Sequence, residues 1–426
     1  MVRLGKKAVE AVDLNENAVK LLNKFTEVRL STANILEKIG PEDSCVQSMP
    51  DASPAKWHAA HTTWFFETFI LKKFKKNYVP FNNDYQTLFN SYYNSVGSQF
   101  SRDKRGMITR PSLSEILNYR LAIDAKMKSL IHIHYNNCKF KKLIELGLNH
   151  EQQHQELLLM DLKNLFSMNP INIQFSNGQK LKSEHVPQQW HKIEKGLYRF
   201  GMSDDQFCFD NETPQHDQII DSFSISSKLV TNSEYLEFIQ DGAYQDPLLW
   251  LSDGWSWIKE TGVTAPLYWR NADNSWFEFT LYGCSTVDPD DPVCHVNFYE
   301  ASAFAAWKKK RLPTEYEWEL SMRKHGKKEN QRFSYHPSQT LEPTQKLHSM
   351  FGGVWQWTNS SYLPFPRFKT PKGAVGEYNG KFMSNQMVLK GGACCTPIGH
   401  ERISYRNFFY PHQRWAFSGI RLAEDH

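Results

Sequence analysis

The apolar periodicity of the chain changes near residue 170, and that change decides the fold class before any single motif is read. Up to about residue 165, apolar residues recur at helical spacing in four stretches. The first predicted helix runs from about Leu14 to Ile39, with Leu21, Leu22, Phe25, Val28, Ile35, Leu36 and Ile39 on one side, and Gly40–Pro41 stops it. The second opens at Ser53–Pro54, read as N-cap and first helical residue, and carries Trp57, His61, Trp64, Phe65 and Thr68 at helical spacing. The third begins at a capping box, Ser112 with Glu115, and the fourth covers about Phe140 to Phe166. From Trp190 onward the texture differs. Short apolar stretches alternate with turn residues such as Asp253–Gly254, Asp288–Pro289 and Gly391–Gly392, and most of the 13 tryptophans lie there. The expectation is a multidomain α and α+β protein: a four-helix bundle over 1–168, a linker over 169–188, and a mixed domain over 189–426.

Length and composition agree with two real cores, since 426 residues with 40% apolar and 14% aromatic content exceed one typical domain. Fifty basic against 46 acidic residues leave a charge of +4, and the basic runs are short, so nucleic acid is not an expected partner. Met1–Leu14 lacks an apolar leader core, and no stretch approaches the ~20 apolar residues that span a bilayer. Seven cysteines without CxxC spacing, two of them adjacent at Cys394–Cys395, suit a reducing compartment and a role as small buried apolar residues. A cytoplasmic protein without membrane partners is expected.

His150-Glu151-Gln152-Gln153-His154 is the strongest local signal. Residues four apart on a helix lie only ~40° apart around it, so His150 and His154 can hold one metal ion. An isolated pair of this kind is as often two hydrogen-bonded core histidines. Here Leu143, Leu146, Gly147 and Leu157 make the face a core face, where unpaired imidazoles are costly. His61, among Trp57, Trp64 and Phe65, marks a similar inward face on the second helix. Three imidazoles from two helices leave open coordination positions, as catalytic metals require. His58 is read as packing or as support for a ligand, and His132 and His134 as ordinary helix residues. The pentapeptide also matches HExxH, with Glu151 as the base of a zinc hydrolase. The longer peptidase signature would need Gly and His where Leu157 and Met160 stand, so this stays a minor alternative.

The long connection after the second helix carries Tyr92 and Tyr93, phenols that could give a proton or an electron near a metal, and Arg102 and Arg105, which suit a substrate carboxylate. Arg406-Asn407-Phe408-Phe409-Tyr410 could form an aromatic wall with one amide, attractive to a quaternary ammonium group, although plain packing is the favoured reading of these residues alone.

Two family patterns are present. Trp57 to Glu67 together with His150 to Glu156 resembles the DinB-like bundle. Phe209 to Pro214, Val230 to Tyr235, Arg311 to Glu319, Gly353 to Thr358 and Gly419 to Ala423 resemble the formylglycine-generating-enzyme domain, a variant of the C-type-lectin fold. Fused in this order, the two resemble the EgtB-like sulfoxide synthases of ergothioneine and ovothiol biosynthesis. The resemblance implies iron(II) held by His61, His150 and His154. It also implies an imidazole substrate held by Gln153 and Asn407, with Phe408 and Phe409 facing its trimethylammonium group. The Asn90–Asn94 loop is similar to the branch with active-site tyrosines in the bundle, which makes Tyr93 and Tyr92 the expected proton donors and Tyr362 the second-domain candidate. The expected reaction joins hercynine to cysteine or γ-glutamylcysteine with dioxygen, with Arg102 or Arg105 as the candidate grip on the thiol donor's carboxylate. A methyltransferase domain typical of ovothiol enzymes does not follow residue 421, which favours hercynine over histidine. A histidine (ovothiol-type) or selenium (selenoneine-type) variant is the nearest alternative, and a non-enzymatic lectin-like binding module is the alternative of another class. The adjacent Cys394–Cys395 pair is a poor match for the thiols of formylglycine generation itself.

Overall fold

The computed structural model describes residues 15–203, 206–326, 332–341 and 346–426; Met1–Leu14, read above for a leader, lie outside them. Helix α1 (Glu16–Leu36) starts where the Asn15 side chain accepts from the Asn17 amide. Helix α2 (Ala55–Phe66) continues through a π-type turn, Glu67–Leu71, into α3 (Lys72–Phe74), and α4 (Tyr85–Leu88) is a single turn in the long connection. Helices α5 (Leu113–His134) and α6 (Cys138–Ser167) complete the helical part. Helices α1, α2, α5 and α6 pack together around Phe25, Trp64, Phe66, Ile123, Ile144 and Leu148.

The Ser112–Glu115 capping box forms as the motif implies. At α2 the reading is one residue out: Pro54 holds the N-cap position. Ser53 is committed elsewhere, its amide donating to Asp161 at 2.8 Å and its hydroxyl accepting from Arg105 at 2.9 Å. The π turn also has a local cause. Buried Glu67 accepts from the Tyr78 and Tyr119 hydroxyls and the Phe81 amide, which pulls the long connection and α5 onto this point.

The second part begins with β1 (Trp190–Ile193), β2 (Gly196–Phe200), β3 (His216–Ile220) and β4 (Phe223–Ser226), followed by α7 (Asn232–Gln240) and α8 (Ser252–Thr261). Strands β5 (Trp269–Ala272), β6 (Ser275–Thr280) and β7 (Gly283–Thr286) precede α9 (Phe298–Trp307) and α10 (Glu315–His325). The chain closes with β8 (Trp355–Ser361), β9 (Met387–Lys390), β10 (Asn407–Phe409), β11 (Ser418–Gly419) and β12 (Ala423–Asp425). A four-stranded sheet has the order β10-β9-β8-β11, with β11 parallel to β8, and a three-stranded sheet has the order β1-β4-β12. Capping boxes Thr231/Glu234, Asn297/Glu300 and Thr314/Glu317 start α7, α9 and α10. After β9 the chain turns at Gly391 and Gly392, both with positive φ; a Cβ on Gly391 would lie 2.6 Å from the Met350 carbonyl.

The two parts share one connected apolar core. Helix α6 is the shared element. Its Glu156 accepts from Trp355 Nε1 at 2.6 Å, and its Asp161 accepts from Trp415 Nε1 at 3.0 Å. None of the seven cysteines is in a disulfide. Only Cys294, Cys394 and Cys395 are buried, so the expectation of seven small core residues holds for three. Among the described residues, no helix is long and apolar enough to cross a membrane.

Candidate metal centre

Helices α2 and α6 approach closely because Gly147 has no side chain; a Cβ there would sit 2.8 Å from the Phe66 ring. One turn further along α6, His150 Nε2 meets His61 Nε2 at 3.2 Å. His154 completes the group, and the donor nitrogens of all three lie within 4.8 Å of one another. The rings are held in place. His61 is stacked between Trp57 at 4.7 Å and Trp64 at 5.6 Å, and His150 packs on Phe65 at 4.7 Å.

The tautomers follow from the partners. His61 Nδ1–H donates to the Phe89 carbonyl at 2.6 Å, which leaves Nε2 as a lone pair. At His154 the order runs outward from a carboxylate. His58 Nε2–H donates to Asp161 at 3.0 Å, so His58 Nδ1 accepts from His154 Nδ1–H at 2.9 Å and His154 Nε2 is left free to bind. Asp161 is itself fixed by Ser53 and Trp415. This is the carboxylate–histidine support that ligating imidazoles carry. Burial pushes all three pKa values down, His150 to about 3, so each ring is a neutral donor near pH 7. Two nitrogens each about 2.1 Å from one ion and at right angles are ~3 Å apart, which is the His61–His150 spacing. The donor set fits one divalent transition metal.

Glu151 is not a base for this site. Its carboxylate points away, accepting from Arg29 at 2.7 Å, Arg120 at 2.8 Å and Thr32 at 2.6 Å. Burial alone would raise its pKa, but the two guanidinium groups bring it to about 2. The HExxH hydrolase alternative loses its catalytic glutamate on this geometry.

A cavity of about 410 Å³ opens between the bundle and the second part. His150, His154, Gln153, Tyr92, Arg102, Asn407, Phe408 and Phe409 all line it. Tyr93 does not. It is fully buried behind Tyr92, its ring against Trp64 and Phe69, and burial with the neighbouring phenols pushes its pKa well up. Arg102 is exposed and donates to the Asp51 carbonyl. The more telling cation is Arg105, which is 4% exposed and lies 3.4 Å over the Trp57 ring. Arg105 forms no ion pair with a carboxylate among the described residues, and burial lowers its pKa. A buried unpaired guanidinium at a cavity wall favours an anionic ligand.

Two residues that the sequence left unremarked belong here. Tyr378 lines the cavity, lies 5.6 Å from the His150 ring and donates to Gln153 Oε1, while Gln153 Nε2 donates to Tyr405 at 2.6 Å. Tyr362, the second-domain candidate, does not line the cavity, as Tyr93 does not. It is buried off the cavity, accepts from Asn211 at 2.9 Å and stacks on Phe408 at 4.1 Å. A second cluster, Glu278, Asp291 and His336, has the residue types of a metal site, but the Lys180 ammonium already sits 2.9 Å from Asp291 and supplies the cation.

Residues 179–348 and 324–426 match the sulfatase-modifying factor enzyme 1-like domain. The chain is 30% identical over 413 residues to a hercynine oxygenase of Mycolicibacterium smegmatis, covering 89% of this chain and 92% of that one. It is 31% identical over 304 residues to a hercynine oxygenase of Mycobacterium tuberculosis, covering 65% and 70% of the two chains. Ergothioneine biosynthesis protein 1 of Schizosaccharomyces pombe is 26% identical over 236 residues, 51% of this chain and 28% of that one. With a helical bundle leading into the matched domain and 30% identity over nearly the whole length of the Mycolicibacterium smegmatis relative, the chain belongs to the hercynine oxygenase family.

Proposed function

We propose that the chain is an iron(II)- and dioxygen-dependent enzyme of ergothioneine biosynthesis, which joins a cysteine-type thiol to the imidazole of hercynine as a sulfoxide. The observation that supports this reading is the cluster of three neutral imidazoles, His61, His150 and His154, two of which, His150 and His154, line a cavity also lined by Asn407, Phe408 and Phe409. The relatives named hercynine oxygenase support the acceptor. The balance is simple: the imidazole C–H and the thiol S–H are lost, a C–S bond forms, and one oxygen atom of O₂ ends on sulfur while the other leaves as water.

Bound by the three histidines, iron(II) supplies one-electron chemistry for dioxygen and positive charge that favours thiolate over thiol. The chain's own residues supply the rest. Gln153 and Asn407 hold the imidazole edge, and Phe408 and Phe409 face the trimethylammonium group. Arg105 and Arg102 take the carboxylate of cysteine or γ-glutamylcysteine. Tyr92 and Tyr93 are the proton donors, since burial keeps both phenols protonated across the neutral range. Holding both substrates in one cavity makes the coupling intramolecular. The test is anaerobic loading with iron(II), then oxygen with hercynine and each thiol, with mass analysis of the product. Stoichiometric iron without sulfoxide from any thiol would overturn the reading.

A further inference from the structure

The turn that follows Tyr93 is gripped from across the cavity by a single short segment of the second part. Glu377 accepts the Asn94 amide on one carboxylate oxygen at 2.9 Å, and the Ser95 amide at 2.9 Å and Ser95 hydroxyl at 2.5 Å on the other. Lys381, one turn later, pairs with Glu377 at 3.1 Å and donates to the Tyr92 carbonyl. One ion pair therefore holds the backbone of Tyr92, Asn94 and Ser95. The same segment places Tyr378 on Gln153, Asn379 on Asp210 at 2.6 Å and the Phe382 ring on Tyr92 at 5.1 Å.

From the bundle side, buried Asn90 holds the same turn. It donates to the Tyr93 and Gly97 carbonyls at 3.1 Å and accepts the Tyr93 amide at 3.1 Å. Asn90 fixes the start and the end of the loop but bonds neither the Asn94 amide, which is shared with the Tyr92 carbonyl at 3.0 Å, nor the Ser95 amide. Those two consecutive donors converge on one point, where a carboxylate is the best acceptor. Glu377 is only partly buried and touches neither the three histidines nor the cavity lining, so its effect on chemistry has to pass through the tyrosines.

We propose that Glu377 is a positioning residue: with Lys381 it clasps the Tyr92–Ser95 turn to the second part and so sets where the tyrosine pair stands in the closed cavity. The role rests on the proton-donor assignment made above. Contacts by one ion pair across two parts of the chain also make the cavity wall a unit that forms only when both parts are docked.

The experiment compares full-length, iron-loaded wild type with Glu377→Ala, Glu377→Gln and Lys381→Met. Backbone hydrogen exchange over residues 90–98 should rise about tenfold or more in Glu377→Ala, because local opening no longer breaks charge-assisted bonds. Exchange in α2 and α6 should not change. Glu377→Gln keeps one acceptor oxygen and should fall between. In turnover, KM for both substrates should stay within about twofold while the share of thiol oxidised without coupling rises, since the phenols rather than the binding groups are displaced. Unchanged exchange over 90–98 overturns the clasp. Faster exchange with an unchanged product ratio overturns the positioning role. A wild-type protein that makes no sulfoxide overturns the proposed function instead, and the exchange result then still decides the clasp.

Discussion

His61 Nε2 and His150 Nε2 face each other at 3.2 Å, both rings neutral and the His61 nitrogen presenting a lone pair. A neutral His150 with its proton on Nε2 donates to that lone pair, and an ion bound between the rings would replace this one hydrogen bond. On the proposed function this is where iron(II) would bind, so loading with the ion is expected to raise the stability of the folded chain.

Replacing His61, His150 or His154 with alanine should abolish iron retention and turnover while circular dichroism stays that of wild type. Metal analysis after gel filtration reads it. Full activity in His61→Ala would move the ligand role to another residue.

The support of His154 makes a finer test. Asp161→Asn or His58→Phe should weaken iron binding by roughly 10- to 100-fold, because the ligand loses the partner that orients it and sets its tautomer. Iron titration should show this, with the KM for hercynine little changed. Equal iron affinity would mean that the Asp161–His58–His154 chain is only packing.

The acceptor pocket predicts a preference. A trimethylammonium group beside Phe408 and Phe409 gains ~0.5–2 kcal/mol, or roughly 2- to 30-fold in kcat/KM, over the hydrated primary ammonium of histidine. The ratio should collapse in Phe408→Ala. Equal kcat/KM for hercynine and histidine in wild type would point to an ovothiol-type enzyme.

Three phenols compete as proton donor, and product analysis separates them. The double Tyr92/Tyr93→Phe variant should keep iron and substrate binding yet divert oxygen to the thiol alone, giving sulfinic acid. Tyr378→Phe should mainly loosen Gln153 and raise the hercynine KM. If the sulfinic acid instead appears in Tyr378→Phe and not in the double variant, the donor is Tyr378.

Glu377 also carries a pH signature. Burial would raise its pKa, but the hydrogen bonds from Ser95 and Asn94 and the Lys381 charge bring it to about 2. A carboxylate depressed in the folded state stabilises fully above its unfolded pKa of ~4.3 and loses that contribution as pH falls towards 2. The difference in Tm between wild type and Glu377→Gln should be constant above about pH 5 and shrink towards zero below pH 2–3. A difference that grows on acidification would contradict the assignment.

The sequence could show whatever depended on a period or a cap. The α5 box at Ser112 and Glu115 is local chemistry and appears as read. His150 and His154 share a helix, so their common face follows from spacing alone. His61 could be placed only as inward, because its distance to His150 depends on the helix contact at Gly147. Ser53 looked like a cap, yet tertiary partners at Asp161 and Arg105 outbid the local one. The functional reading of Glu151 failed for a similar reason, since Arg29 and Arg120 come from two other helices. Tyr378, Tyr405 and Glu377 lie in stretches without periodicity, and only the docking of the second part brings them to the cavity. Neither Tyr93 nor Tyr362 lines the cavity, and nothing in their sequence neighbourhoods distinguishes a wall residue from one behind the wall.

The two helices that hold the histidines contribute nothing to the aromatic wall, and β10, which carries that wall, contributes no histidine. The ion is thus assigned to α2 and α6 alone, whereas the acceptor is assigned to both parts, to Gln153 of α6 and to Asn407–Phe409 of β10. A laboratory seeking a new acceptor would begin at Asn407 and Phe408, because Phe409 packs on Trp415, which donates to Asp161 behind the His58–His154 pair.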